Sequence, residues 1–168
     1  MKKLVLVAVM TILGMMTAFG QSTINVEGNV MSLFSSSFES LTTIPSNYAL
    51  RGLFYGNTYL KDASYMILPA TTLTTGAYRR MFQACTSLTT APELQAKAVP
   101  QNGYYYMFYE CSSLNYIKCL ATSVSASNAV NDWVTNVSAS GTFVKDSSMS
   151  DWSSGDNGIP NNWTIQNA

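Results

Sequence analysis

Residues 78–94 read YRRMFQACTSLTTAPEL, and residues 104–120 read YYYMFYECSSLNYIKCL. The two stretches share seven identical positions, every pair 26 residues apart: Tyr78/Tyr104, Met81/Met107, Phe82/Phe108, Cys85/Cys111, Ser87/Ser113, Leu88/Leu114 and Leu94/Leu120. Self-similarity at a fixed period of roughly 20–50 residues is typical of repeat architectures. Such proteins present long exposed faces that are used for binding more often than for catalysis.

Each copy combines two local patterns. Tyr104, Met107, Phe108 and Cys111 follow the spacing i, i+3, i+4, i+7, which is one face of an α-helix. A piece of the form Leu-x-x-apolar follows within a few residues and is typical of a short strand. Weaker copies begin near Val30 and Leu50. The sequence therefore predicts an α/β fold, a right-handed leucine-rich-repeat-like solenoid with one short helix and one short parallel strand per coil.

Stacked coils would place equivalent side chains on top of one another inside the solenoid. Two internal ladders are predicted, one aromatic and one aliphatic: Phe34, Phe54, Phe82 and Phe108, and beside them Leu41, Leu60, Leu88 and Leu114. Both ladders are interpreted as structural.

The repeated core resembles a known family. The motif MF-x-x-C-x-SL, together with APEL and the LPATTL of residues 68–73, is similar to the BspA-like leucine-rich-repeat surface proteins of gut bacteria. The resemblance covers roughly residues 27–168. It implies a secreted or surface-displayed solenoid with a role in adhesion or protein binding. The chain departs from the pattern at residues 94–99, LQAKAV, where a second LPATTL would stand.

The amino terminus has the features of a secretory signal peptide. Two lysines precede the apolar run 4–16, and Ala18-Phe19-Gly20 supplies small residues at the cleavage site. The run is shorter than the roughly 20 apolar residues of a membrane-spanning helix. We expect a signal peptide at 1–20, a repeat region at 21–122 and a capping region at 123–168. The expected location is the medium or the cell surface, with the periplasm as the alternative.

The charge balance excludes some partners. Cleavage before Gln21 would leave seven basic and nine acidic residues, a net charge of −2. This charge gives no basic footprint for nucleic acid. No later stretch is apolar enough to span a membrane, so we expect no stable membrane insertion after cleavage.

Catalysis and cofactor binding are not indicated. The chain has no histidine, which excludes Ser-His-Asp, Cys-His and HExxH arrangements. The nine acidic residues show no facing pair of the kind that glycosidases use. Cys85, Cys111 and Cys119 have spacings that do not fit a zinc site. We expect no enzyme activity, no cofactor and no metal.

The cysteines leave one question open. Stacking would bring Cys85 and Cys111 within disulfide range, since adjacent strands lie about 4.8 Å apart. The alternative is a set of buried free thiols, because the equivalent positions hold Asn57 and Ser37 and ask only for a small side chain.

Residues 123–168 are predicted to leave the repeat and cap it. The spacing of Ala129, Val130, Trp133 and Val137 predicts a helix over 126–137, and strands are expected at 141–144 and 163–165. The tryptophans of this region are expected to cover the open end of the core. A tryptophan-lined sugar site is the alternative.

The predicted binding surface is the sheet face. The residues flanking the inner apolar one should point outward and align in two rows: Thr43, Asp62, Thr90 and Tyr116, with Ser64, Pro92 and Lys118 beside them. The rival surface is the helical side, with Arg79 and Arg80 near Tyr105, Tyr106 and Tyr109. We expect a binding or adhesion module for a protein or host cell-surface ligand. The alternatives are a carbohydrate-binding surface protein and a structural envelope component.

Overall fold

The computed structural model describes residues 12–15, 23–150 and 152–168. Regular secondary structure in these ranges consists of eight short strands and two 3₁₀ helices. The strands are β1 (Ile12–Met15), β2 (Thr23–Val26), β3 (Gly28–Asn29), β4 (Leu60–Asp62), β5 (Met66–Ile67), β6 (Tyr116–Cys119), β7 (Thr142–Lys145) and β8 (Thr164–Asn167). The 3₁₀ helices span Val30–Leu33 and Phe38–Ser40.

The predicted α/β leucine-rich-repeat-like solenoid is wrong. Within the described ranges no α-helix forms, and the strands are only two to four residues long and lie in small sheets. The helix predicted in each repeat is replaced by a run of tight turns. Four such turn segments, each ten residues long, cover residues 47–56, 75–84, 101–110 and 127–136.

Backbone N–H groups in the turn segments alternate between two kinds of partner. In the second segment, Arg79 N donates to Gly76 O at 3.1 Å, which closes a turn within the segment. The next residue, Arg80, donates across to Tyr105 O of the third segment at 2.9 Å. In each of the first three segments, five N–H groups donate to the following segment in this way. The turn segments therefore stack through main-chain hydrogen bonds, which an α-helix would have kept within itself.

The turns require a left-handed backbone conformation at every fourth residue. Positive φ angles between 49° and 70° recur at Tyr48, Gly52, Gly56, Gly76, Arg80, Ala84, Asn102, Tyr106, Glu110, Asn128, Asp132 and Asn136. In alternate turns the left-handed residue is the third one, as in the turn closed by Met81 N and Tyr78 O, where Arg80 is third; a positive φ at this position is the mark of a type II turn. A period of four also brings positions i, i+3, i+4 and i+7 to one side. This explains why the sequence shows a helix-like apolar pattern without forming a helix.

The strands lie beside the turn segments and pair mostly in parallel. β2 pairs with β4 in parallel and with β1 in antiparallel orientation, and β3 pairs with β5. β6, β7 and β8 form a parallel three-stranded sheet in uniform register. Single bridges from Thr90 to Asp62 and to Tyr116 connect the sheet of β4 with the sheet of β6.

The aromatic ladder is confirmed for its last three members. The rings of Phe54, Phe82 and Phe108 stack with centroid separations of 5.3 and 5.6 Å. Phe34 and Phe54 are both only partly buried and pack against the fully buried core. A second stack, not predicted, joins Tyr78, Tyr104 and Trp133. In the aliphatic ladder Leu60, Leu88 and Leu114 are fully buried, whereas Leu41 is partly exposed.

The carboxy-terminal region differs from its prediction in one element. Residues 127–136 form the fourth turn segment, so the helix predicted over 126–137 is wrong. The strands expected at 141–144 and 163–165 are confirmed as β7 and β8, each displaced by one or two residues. Trp152 stacks on Trp133 at 5.6 Å, and the indole of Trp163 donates to Ser138 O.

The predicted signal peptide falls largely outside the described residues, and so does its cleavage site after Gly20. Only β1, within the apolar run, is described, and it pairs with β2. Among the described residues, no helix has the length and apolar character needed to cross a bilayer.

Candidate binding surface

The structure brings together three members of the predicted first row on the sheet face. Thr90 lies between Asp62 and Tyr116 through single parallel bridges. Sequence reasoning missed the rest of this row. Asn25 of β2 lies opposite Asp62, and Thr142 of β7 lies opposite Tyr116.

Two predicted members of the sheet face are misplaced. Thr43 pairs with Thr72 and not with Asp62, because β2 occupies the position beside β4. Pro92 is buried. The register slips by one residue between the bridges Thr90–Tyr116 and Leu94–Cys119, and a one-residue slip exchanges the faces of a strand.

The polar groups that remain on the sheet face are already engaged. Lys118 Nζ lies 2.9 Å from Glu93 Oε2, and this interaction raises the pKa of the lysine. The carboxylate of Asp62 accepts a 2.7 Å hydrogen bond from Ser64 N. Tyr116 itself is half-buried. This face therefore offers few free groups to a ligand.

The surface formed by the turn segments carries arginines that make no salt bridge to a described residue. All three arginines of the chain lie there. Arg51 and Arg79 occupy the same position in the first and second segments, and Arg80 follows. Among the described residues the two salt bridges are those of Lys97 with Asp146 and Lys118 with Glu93, so neither includes an arginine.

Tyrosine rings lie against these guanidinium groups. The guanidinium carbon of Arg79 is 4.7 Å from the ring centroid of Tyr105, and that of Arg80 is 5.4 Å from Tyr106. These distances are within the range of cation–π attraction. Tyr106 also packs against Tyr105 and Tyr109, with centroids 4.2 and 4.8 Å away. The Nε atoms of both arginines are buried without a hydrogen-bond partner.

The surface extends to a cavity beside the first turn segment. The cavity has a volume of about 270 Å³ and is lined by Arg51, Gly52, Tyr55 and Arg80. We define the arginine–tyrosine surface as Arg51, Tyr55, Arg79, Arg80, Tyr105, Tyr106 and Tyr109. Hydrogen bonding to Tyr105 raises the pKa of Tyr106 to about 12, and desolvation and the charges of Tyr105, Asp132 and Tyr109 add to the shift.

The sequence predicted part of this surface. The predicted rival side already paired Arg79 and Arg80 with Tyr105, Tyr106 and Tyr109, and the structure confirms that these residues meet. Arg51 and Tyr55 were missed, although aligning ALRGLFYGN (residues 49–57) with AYRRMFQAC (residues 77–85) places Arg51 over Arg79. The net charge of the chain gives no sign of so local a cluster.

The cysteines lie in the core as free thiols. Cys85, Cys111 and Cys119 are buried and unbridged. The Cys85 thiol donates a 3.0 Å hydrogen bond to the carbonyl of Phe54 in the first turn segment. The Cys111 thiol donates one of the same length to the carbonyl of Phe82 in the second. Burial raises the pKa of Cys85 and Cys119 to about 12 and that of Cys111 well above its usual value. Since the thiolate is the reactive form, these side chains are poor nucleophiles.

Neither a metal site nor a tryptophan platform is formed by the described residues. No three cysteine, aspartate or glutamate side chains among them are grouped to hold a metal ion. Trp133 and Trp163 are buried, and Trp152 packs against Trp133. Trp133 and Trp163 therefore serve the core, while Trp152 is partly exposed and packs one face on Trp133.

Comparison with known proteins gave no match: no family model, no curated protein and no solved structure matches the chain. The resemblance to BspA-like surface proteins accordingly stays a prediction.

Proposed function

We propose that the protein is an exported binding or adhesion module that contacts a protein or cell-surface ligand through the arginine–tyrosine surface. One observation carries the proposal: all three arginines of the chain cluster there without a carboxylate partner among the described residues. Placing like charges together costs free energy, and a ligand with complementary charge would recover it. Arginine and tyrosine are also the residues enriched at binding hot spots.

The chemistry of the remaining groups supports binding over catalysis. The chain lacks histidine, the common general base. Its three thiols are buried and held in the protonated form. The signal-peptide pattern at residues 1–20 supports export, where adhesion modules act.

Binding measurements with paired surface variants test the proposal. Screening the exported protein against extracellular matrix proteins and a glycan array would identify a ligand. Its affinity should then fall at least about tenfold in a Tyr105→Ala/Tyr106→Ala variant, because hot-spot aromatics each contribute more than about 1 kcal/mol.

The matched control is Tyr116→Ala on the sheet face, which should retain affinity. Melting curves of both variants would show whether the fold is intact. Full affinity in the double variant with loss in Tyr116→Ala would move the binding site to the sheet face. The absence of any ligand in both screens would count against the binding function itself.

A further inference from the structure

The cavity at the end of the arginine–tyrosine surface is suited to an anion. Two of its four lining residues are arginines, Arg51 and Arg80. A guanidinium presents a planar fork of donors that matches the oxygens of a carboxylate, sulfate or phosphate. No salt bridge to a described residue occupies either group. Arg79, the neighbour of Arg80 in the second turn segment, adds a further positive charge next to the cavity lining.

The remaining lining discriminates between kinds of anionic ligand. The side chain of Tyr55 is 58% exposed, so its ring is free to pack against a ligand. Gly52, with φ of 64°, adds no side chain. No aliphatic side chain lines the cavity, and apolar anchors of a peptide need such a lining. A sugar ring, by contrast, has polar edges and an apolar C–H face that packs on an amphipathic aromatic ring.

We infer that this cavity binds an anionic saccharide, a sugar chain bearing carboxylate or sulfate groups. The acidic group pairs with Arg51 and Arg80, and the sugar ring packs on Tyr55. The inference rests on the proposed function and specifies its ligand. Carboxylate and sulfate share the chemistry that the arginines recognise, so the experiment separates them.

Binding to four defined probes tests the inference. The full exported chain is titrated with heparin as the sulfated probe, oligogalacturonate as the carboxylated probe, dextran as the neutral probe and poly-L-glutamate as the acidic peptide. One of the two anionic saccharides should bind at least tenfold more tightly than poly-L-glutamate, and dextran should not bind. An Arg51→Gln/Arg80→Gln variant should lose at least tenfold in affinity for that saccharide, and Tyr55→Ala at least fivefold.

The control variant is Lys61→Gln, which removes one exposed positive charge outside the arginine–tyrosine surface. It should change the affinity less than twofold. Equal or tighter binding of poly-L-glutamate, or unchanged affinity in Tyr55→Ala, would overturn the saccharide assignment. So would failure of all four probes. In each of these cases a protein ligand lost in the Tyr105→Ala/Tyr106→Ala variant would leave the proposed function standing.

Discussion

At the scale of single residues, the stacked tyrosines of the core carry an unusual cost. The hydroxyl groups of Tyr78 and Tyr104 are buried and have no hydrogen-bond partner. Burial raises the pKa of both phenols far above the ordinary value. Their rings stack with centroids 6.1 Å apart, so the aromatic part of each side chain stabilises the core while the hydroxyl opposes it.

Removing one of these hydroxyls should therefore stabilise the protein. We expect Tyr104→Phe to raise the free energy of unfolding by about 1–2 kcal/mol, the cost of an unsatisfied buried polar group. Urea denaturation measures the difference. Tyr109→Phe, whose ring lies at the partly exposed surface, is the matched control and should change stability by less than about 0.5 kcal/mol. A loss of stability in Tyr104→Phe would show that the hydroxyl has a partner in solution.

At the scale of the element, the turn segment explains both the success and the failure of sequence reasoning. The positions predicted to be buried, such as Tyr78, Met81 and Phe82, are buried, because burial depends only on the four-residue spacing. The helix was wrong because this spacing does not distinguish an α-helix from consecutive turns. The deciding feature is the left-handed conformation of residues such as Arg80 and Tyr106. Nothing in these side chains signals it, since glycine and asparagine are the usual residues there.

Ala84 offers a direct test of the turn conformation. It has φ of 60° at the last left-handed position of its segment, where the first segment has Gly56. An L-residue with a Cβ pays roughly 1–2 kcal/mol in this conformation. We expect Ala84→Gly to raise the free energy of unfolding by about 1 kcal/mol.

The matched control for this variant is Ala77→Gly in the same segment. Ala77 is fully buried and has no positive φ, so the substitution should destabilise by about 1 kcal/mol through lost packing and added chain entropy. Thermal melting of the two variants should give shifts of opposite sign. Two destabilised variants would point to an α-helix instead.

At the scale of the whole molecule, the buried ionisable groups set the response to alkali. The pKa values of Cys85, Cys111 and Cys119 are all raised in the folded state by burial. The unfolded chain consequently loses its thiol protons first as the pH rises. The contribution of these groups to stability is fully present below about pH 9 and is lost above it.

We therefore expect the free energy of unfolding to fall above this pH by up to about 4 kcal/mol per pH unit, one proton for each of three thiols. The tyrosines add to the loss at higher pH. Urea midpoints at pH 7, 9 and 10 measure the slope. Cys111→Ala should reduce the thiol contribution to the slope by about one third. A stability that does not change between pH 7 and 10 would contradict the burial of the thiols.

The whole molecule also shows which parts of the surface a sequence can assign. The row through Asp62, Thr90 and Tyr116 was predictable because uniform strand register follows from the repeat. Pro92 was misassigned because a one-residue slip leaves no trace in the sequence. The sequence predicted that Arg79 and Arg80 lie near the tyrosines, but that the arginines have no salt-bridge partner is known only once the pairs of Lys118 and Lys97 are in place.

Because the hydrogen bonds alternate, the partner of each N–H group depends on its position in the turn segment. In the first three segments, the N–H groups of even-numbered residues donate hydrogen bonds to the next segment, and those of neighbouring odd-numbered residues close turns within the segment. Inserting one residue would exchange these roles for the rest of the segment. Inserting two would restore the hydrogen-bond alternation, but only inserting four would also keep a left-handed residue at every fourth position. The lengths in the chain agree: all four segments have ten residues, while the connections between them have 18, 16 and 16. The differences in length thus lie in the connections, and a turn segment could be lengthened without disruption only by four residues at a time.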